Sequence, residues 1–537
     1  MTAGGGGFIR RWARLLWQMR IGIVGGVSVV FFLWAVARFH DEGTGFTSLL
    51  SIGDKLGEPV AALRAVPHYI YHDSFGYDGA YYVQIALHPT LGSSELPKTI
   101  DNLPYRARRI LLCWVAWLAG LGQPAWIVQA YSMLNVASWL GLAWLLQRWF
   151  PPVSWSNLGR WAGVLFSQGV CMSVRNSLVD APSLLLVALA VACLERGRRP
   201  GGVALLAASA LCKETCLLAA AALVPPAQRS WKDWRRLAGV GLLAVLPLAA
   251  WLVYVRWRVG PSEDSGWGNF TWPLAGFAEK WVTVLTDWRT QGWSRPMIVT
   301  LCTMLALTVQ VLFLALRRRP KEIWWRVGAA FAVLTLFVSQ PVWEGYPGAA
   351  SRVLLPMALA FNILVPPGRR WLPVLIAGNL AVVGGVFEFD AVPVEFFRER
   401  GARVALAAVQ VAPDGGWYPV ESNLGHRWRW SPGRGRLRFV NRSTSPLQVR
   451  LVGTMAPATP RRLILKFHGE QIWSGGPTAR ALRLNAVGFV LPPGESTLEF
   501  DSDQPPVQGF HGDARTLALA VYDLIISVAP AEPSLQP

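Results

Sequence analysis

Asp78 stands in an unusual setting: the string Phe75-Gly76-Tyr77-Asp78-Gly79-Ala80-Tyr81-Tyr82-Val83. A carboxylate can take the proton from an attacking hydroxyl. Rings such as Tyr77 and Tyr81 offer apolar faces with a polar tip, which suits a sugar ring. Glycines let a backbone come close to a bound molecule. The string therefore reads as a place where a hydroxyl-bearing substrate meets a general base. Asp73, just upstream, offers a second acid.

Cations come next in the same chain. Tyr105-Arg106-Ala107-Arg108-Arg109 places three guanidinium groups after the acidic stretch. A guanidinium presents a planar fork to phosphate oxygens. The plainer role for these arginines is snorkelling to lipid headgroups. Arg175 and Asp180 lie in Ser173-Val-Arg-Asn-Ser-Leu-Val-Asp-Ala-Pro182. Asp180 opens an apolar helix, where it would serve as a cap with Pro182 in the first turn. Lys213-Glu214-Thr215 interrupts an otherwise apolar stretch. A charge at the centre of a membrane helix costs ~2.5–3.5 kcal/mol on insertion scales. A hairpin tip at Lys213 is the cheaper arrangement, with mutual neutralisation of Lys213 and Glu214 as the alternative. Glu344 and Arg352 flank an aromatic and glycine-rich loop, and Arg352 is a second candidate for phosphate.

Something must hold these residues at one level. The chain has 537 residues, of which 53% are hydrophobic and 15% charged, with 28 Trp. A soluble protein would carry about 25% charged residues. Apolar runs fill residues 21–388. The first, Ile21 to Phe39, comes after Arg10, Arg11, Arg14 and Arg20 and matches the hydrocarbon thickness of a bilayer. It reads as an uncleaved first helix with a cytoplasmic N-terminus. The net charge of +19 sits in short clusters between apolar runs. That is the pattern of topological arginine in a bilayer, not of a nucleic-acid partner. The cysteines, Cys113, Cys171, Cys193, Cys212, Cys216 and Cys302, fall in or beside apolar segments without a ligand set for zinc.

Ile110–Leu121 is about half a crossing. If it does not cross, and if 201–224 is a hairpin broken at Lys213-Glu214, the remaining basic clusters fall on one face. Arg148, Glu195 to Arg199, Arg229 to Arg236, Arg317 to Arg326 and Arg369-Arg370 then lie on the cytoplasmic side. The motifs above fall on the other. The reading is mainly α: a polytopic membrane bundle of about ten or eleven membrane elements, some re-entrant, in residues 1–390. Residues 391–414 read as a linker.

From residue 415 the pattern changes to period two. Arg436-Leu-Arg-Phe-Val and Leu447-Gln-Val-Arg-Leu-Val flank an Asn-Arg-Ser-Thr-Ser-Pro turn, and further short alternating runs come after them. This predicts an all-β sandwich over 415–537 on the non-cytoplasmic side. Trp417, Trp428, Trp430 and Trp473 are candidates for a sugar platform or for packing.

The layout of residues 15–390, with Tyr77-Asp78-Gly79, Asp180, Lys213-Glu214-Thr215 and the loop up to Arg352, resembles the GT-C superfamily of polytopic glycosyltransferases, nearest to bacterial mannosyltransferase-like members. The sandwich resembles jelly-roll modules of envelope sugar enzymes. The resemblance implies sugar transfer from a polyprenyl-phosphate donor to a glycan or lipid acceptor, in a bacterial inner membrane. Asp78 is then the catalytic base. Tyr77, Tyr81, Asp73, Arg106, Arg109, Arg175, Asp180, Lys213, Glu214, Glu344 and Arg352 are then the substrate-binding residues. Many relatives pair two acids in the first loop. Here only Asp78 has the aromatic and glycine setting, which leaves open a divalent cation such as Mg²⁺ or Mn²⁺. Competing readings are a lipid-linked glycan transporter or flippase and a non-catalytic envelope assembly protein. No internal repeat of the kind transporters carry is visible.

Overall fold

The computed structural model describes residues 5–41, 43–71, 74–224, 231–261, 266–344, 349–390, 395–401, 403–423, 426–509 and 513–531. Helices make up the chain to residue 390, and strands dominate the remainder. Among the described residues, three helical stretches are long and apolar enough to cross a membrane: Arg20–Ala37, Asp233–Val259 and Arg295–Leu316. The 22 residues of the last rise about 33 Å, against ~30 Å of hydrocarbon. Their side chains are apolar yet uncovered. Val27, Val30 and Phe31 on the first, and Leu242, Leu243, Val253 and Trp257 on the second, are exposed. Contiguous uncovered apolar surface of this kind marks a membrane-facing side.

Against the ten or eleven membrane elements expected from sequence, the described residues hold these three helices and four shorter apolar ones, Arg199–Cys212, Glu214–Leu223, Ile323–Phe337 and Leu355–Leu364. Leu111–Ala119 has nine residues and rises about 14 Å, half a crossing. Leu121 and Gly122 then take positive φ and reverse the chain into Pro124–Leu145. The stretch 201–224 breaks at Lys213, which is extended (φ −155°, ψ 118°) between Arg199–Cys212 and a ten-residue 3₁₀ helix, Glu214–Leu223. Its two halves pack against one another. The Arg326 guanidinium donates to the carbonyls of Ala221 and Ala222, both at 3.2 Å, satisfying the far end of the 3₁₀ segment. Trp139 locks the first membrane helix to Pro124–Leu145: it is wholly buried and stacked on Phe32, 3.7 Å between centroids.

Most of the described strands form two sheets, with Val507–Gln508 and Thr516–Leu517 pairing apart from them. One runs Glu421–Asn423, His426–Ser431, Leu519–Pro530, Leu447–Pro457 and Leu482–Leu491, with Phe397–Gly401 parallel beside Leu519–Pro530. The other runs Val409–Pro413, Gly435–Asn441, Gly494–Ser502, Arg461–Phe467 and Glu470–Thr478. Burial alternates along Gly435–Asn441 and Arg461–Phe467, as period-two strands require. Leu437, Phe439, Leu465 and Phe500 fill the space between the sheets. Phe397–Gly401 and Val409–Pro413 carry ladder bonds, so the sandwich takes in residues that the sequence assigns to a linker. Trp417 packs on Phe396 and Phe500 and Trp473 packs on the same core, whereas Trp428 stacks on Tyr522. The four tryptophans therefore do not form one platform.

Candidate functional site

Asp78 is the first residue of the helix Asp78–Leu87, where a carboxylate is favoured by the helix dipole. The glycines around it are set by packing. Gly76 has φ +67°, and a Cβ there would lie 2.4 Å from the carbonyl oxygen of Ser51. A Cβ on Gly79 would lie 2.4 Å from the carbonyl oxygen of Asn176. They admit neighbouring backbone, not a substrate as the sequence suggested, and that close fit fixes where the Asp78 helix begins.

Arg106 reaches Asp78 from the side at 2.6 Å. The rest of its fork is held bidentately by Asp101, at 3.1 and 2.9 Å. Asn102 caps the short helix Leu103–Arg106 by accepting from the Tyr105 amide, which aims Arg106 across the face of Tyr81. Burial works to raise the Asp101 carboxyl, but the Arg106 hydrogen bonds outweigh it and hold it below the usual range. Arg109 forks onto Glu214, both bonds at 3.0 Å, and donates to the hydroxyls of Tyr82 (2.9 Å) and Tyr105 (3.1 Å).

Asp180 lies deepest, 2% exposed. It is not a cap. Val179 occupies that position, and the Ala181 amide is taken by Ser173 Oγ at 2.9 Å. The Asp180 carboxylate is thereby left for two cations: Lys213 Nζ on one oxygen, and Arg352 on the other at 3.2 Å. Lys213 thus pairs with Asp180, not with Glu214 as the neutralisation alternative required. Arg352 also donates to the Tyr77 hydroxyl at 2.7 Å, tying this deep triad back to the residue beside Asp78. Burial pushes the Tyr77 phenol up, against the pull of Arg352.

Asp78, Arg106, Arg109, Asp180, Lys213, Glu214 and Arg352 line one cavity of about 290 Å³. Phe270, Leu334, Val338 and Val342 add apolar lining to the same cavity. Among the described residues, two polar atoms of this lining are buried without a hydrogen-bond partner: Thr215 Oγ1 and Arg352 Nε. Such orphans are rare in folded proteins and point to an absent partner.

Of the residues expected from sequence, these seven share the cavity. Tyr77 and Tyr81 sit behind Arg352 and Arg106, and the aromatic wall is Tyr82 and Tyr105 instead. Arg175 is elsewhere, donating to the Tyr71 hydroxyl at 2.9 Å and lying over Phe39. Glu344 is paired with Lys280 at 2.6 Å. Asp73 lies outside the described residues. Asp101, Tyr82, Tyr105 and Thr215 were not singled out by the sequence. Nothing marked Tyr82 or Tyr105 as more than motif and cluster neighbours. A divalent ion does not fit the carboxylates in place. Asp78 faces Arg106, Glu214 faces Arg109 and Asp180 faces Lys213 and Arg352, and among the described residues no group of three or more His, Cys, Asp or Glu could hold a metal.

No family model matches the chain, and no curated protein matches it. Among solved structures, the chain is similar to the arabinosyltransferase EmbB from Mycobacterium smegmatis, at 10% identity and a TM-score of 0.31. The match covers 83% of this chain and 62% of that one, so the chain spans less than two thirds of the length of the structure it matches.

Proposed function

We propose that the chain is a membrane glycosyltransferase that moves a sugar from a polyprenyl-phosphate donor to a hydroxyl of a glycan or lipid acceptor on the non-cytoplasmic face. The observation that carries this reading is the cavity itself. Its lining joins cations with apolar side chains, and it holds Asp78 and Asp180 at helix starts and two orphan polar atoms. The apolar lining suits a lipid chain, and the cations suit its phosphate.

In this reading the acceptor oxygen attacks the anomeric carbon while the bond from that carbon to the phosphate oxygen breaks. The acceptor proton passes to Asp78, and the phosphate leaves with the electron pair. Direct displacement inverts the anomeric centre. Charge develops on the departing phosphate, where Arg352 Nε and Lys213 are pre-set to meet it. Arg106 is shared between Asp101 and Asp78. A phosphate drawing on Arg106 would loosen its hold on Asp78 and free that carboxylate to accept a proton. The exposed apolar helices support a membrane setting, and the basic clusters in the sequence support the orientation.

The test is transfer from a polyprenyl-phosphate sugar in membranes carrying the wild type or Asp78→Asn. The variant is expected to fold and to lose at least ~10²–10⁴-fold in rate, as for loss of a general base. Near-normal turnover in Asp78→Asn would remove the assignment.

A further inference from the structure

A second cavity, of about 120 Å³, lies where the loop after the first membrane helix meets the sandwich. That is room for several waters, each needing ~10–15 Å³. Five arginines line it: Arg64, which is ion-paired, and Arg38, Arg398, Arg427 and Arg442. Among the described residues none of the latter four has a carboxylate within ion-pair distance, unlike Arg106, Arg109 and Arg352 at the first cavity. Arg64, on the same wall, is paired with Glu58 and Glu95, and Glu395 is paired with Arg429. The remaining acids are Asp41, whose Oδ1 is engaged by the Gly43 and Thr44 amides, and Glu399, held up to about 8 by burial and by Asp41. The wall is therefore net cationic.

Two polar atoms on this wall are buried without partners, Thr44 Oγ1 and His68 Nε2. His68 Nδ1 lies 2.7 Å from the Val66 carbonyl oxygen, which can only accept, so Nδ1 carries the proton. Burial lowers the His68 pKa and keeps the ring neutral, so Nε2 is a bare acceptor that wants a donor. The cavity thus asks for an anion that also carries hydroxyl groups. Arg38 comes directly after the span Arg20–Ala37, so the cavity opens at the level of lipid headgroups.

We propose that this junction is a binding site for a phosphodiester bearing free hydroxyls, supplied by an anionic membrane lipid with a glycerol headgroup. Its phosphate is held by Arg398, Arg427 and their neighbours, and a headgroup hydroxyl donates to His68 Nε2. Such a lipid would bridge the sandwich to the membrane body from the bilayer side.

The purified full chain in detergent is titrated with phosphatidylglycerol or phosphatidylcholine, and retained lipid is read by native mass spectrometry. Phosphatidylglycerol is expected to be retained about tenfold more strongly. Arg398→Gln/Arg427→Gln should abolish that preference, while Arg480→Gln/Arg483→Gln, exposed arginines elsewhere on the sandwich, should keep it. Soluble glycerol phosphate separates the sources. Displacement of the lipid shows that a free sugar-like phosphate can fill the site, and failure to displace shows that the lipid chains are needed. Both leave the phosphate chemistry standing. Should the double variant fail to elute as a folded protein, Thr44→Val and Arg442→Gln carry the same comparison. Equal retention of the two lipids, an unchanged preference in the variants, or an equal loss in the Arg480/Arg483 control would overturn the proposal.

Discussion

Asp180 is 2% exposed and touches both Lys213 and Arg352. In the sandwich, Arg436 and Glu499 face one another across neighbouring strands 3.5 Å apart, with the arginine side chain half-exposed. Both are ion pairs, yet they do different work. In the cavity no apolar side chain could replace a charge without stranding its partner, so the pairs fix where side chains point. In the sandwich the space between the sheets is filled by Leu437, Phe439, Leu465 and Phe500, and the Arg436–Glu499 pair lies outside that core. Folding and chemistry are therefore carried by different residues in the two regions, which mutations can separate.

The largest effect is expected at Asp180. Asp180→Asn leaves Lys213 and Arg352 buried with too little negative charge between them. Breaking a buried pair in this way costs about 3–5 kcal/mol. Thermal unfolding in detergent should fall sharply and transfer should vanish with it, whereas Asp78→Asn is expected to lower transfer without a comparable loss of stability. A stable Asp180→Asn protein would break the distinction between positioning charge and charge outside the core.

Phe500→Ala tests the other side. Phe500 is fully buried between the sheets, and truncation of such a ring costs about 3–5 kcal/mol. The loss should appear in unfolding of the sandwich, monitored by strand-sensitive circular dichroism, while the cavity keeps its residues. An unchanged melt would show that the sandwich is not held by its period-two core.

A smaller effect is expected at the boundary of the two regions. Burial, with Asp41 adding to it, pushes the Glu399 carboxyl from 4.5 up to about 8. The folded state keeps a proton there that the unfolded chain releases. The associated stability is complete below about pH 4.5 and is lost as pH rises through about 8. The melting temperature should fall across that window in the wild type, and Glu399→Gln should flatten the fall. Equal slopes would place the titration elsewhere.

Legibility in the sequence divides along the same line. Asp78 stood out by its aromatic and glycine setting, Arg106 and Arg352 as candidate phosphate partners, and Lys213 because a charge within an apolar run is costly, and the four line one cavity. The break at Lys213 was legible from that cost too. Asp101 was not, because its role depends on how the Asn102 cap turns Arg106. Tyr82 was hidden because it reads as a core position of its helix. Arg175 and Glu344 were misplaced because their partners, Tyr71 and Lys280, lie far away in sequence. Phe397–Gly401 escaped because Phe-Arg-Glu-Arg-Gly lacks an alternating apolar face, and only its parallel pairing with Leu519–Pro530 makes it a strand.

The smallest effect should come from Glu499→Gln. Its pair with Arg436 joins directly opposed residues on adjacent antiparallel strands, the arrangement in which cross-strand charges help most. Even so, the Arg436 side chain is 48% exposed, so water and salt compete for it and the pair is worth about 0.2–1 kcal/mol. The substitution keeps the side chain's length and its apolar stem on the sheet, so only the charge is removed. Unfolding in denaturant should shift by less than about 1 kcal/mol, and the shift should shrink further at high salt, where exposed charges are screened. A loss comparable to that of Asp180→Asn would mean that the sandwich also relies on positioned charge, and the contrast between the two regions would dissolve.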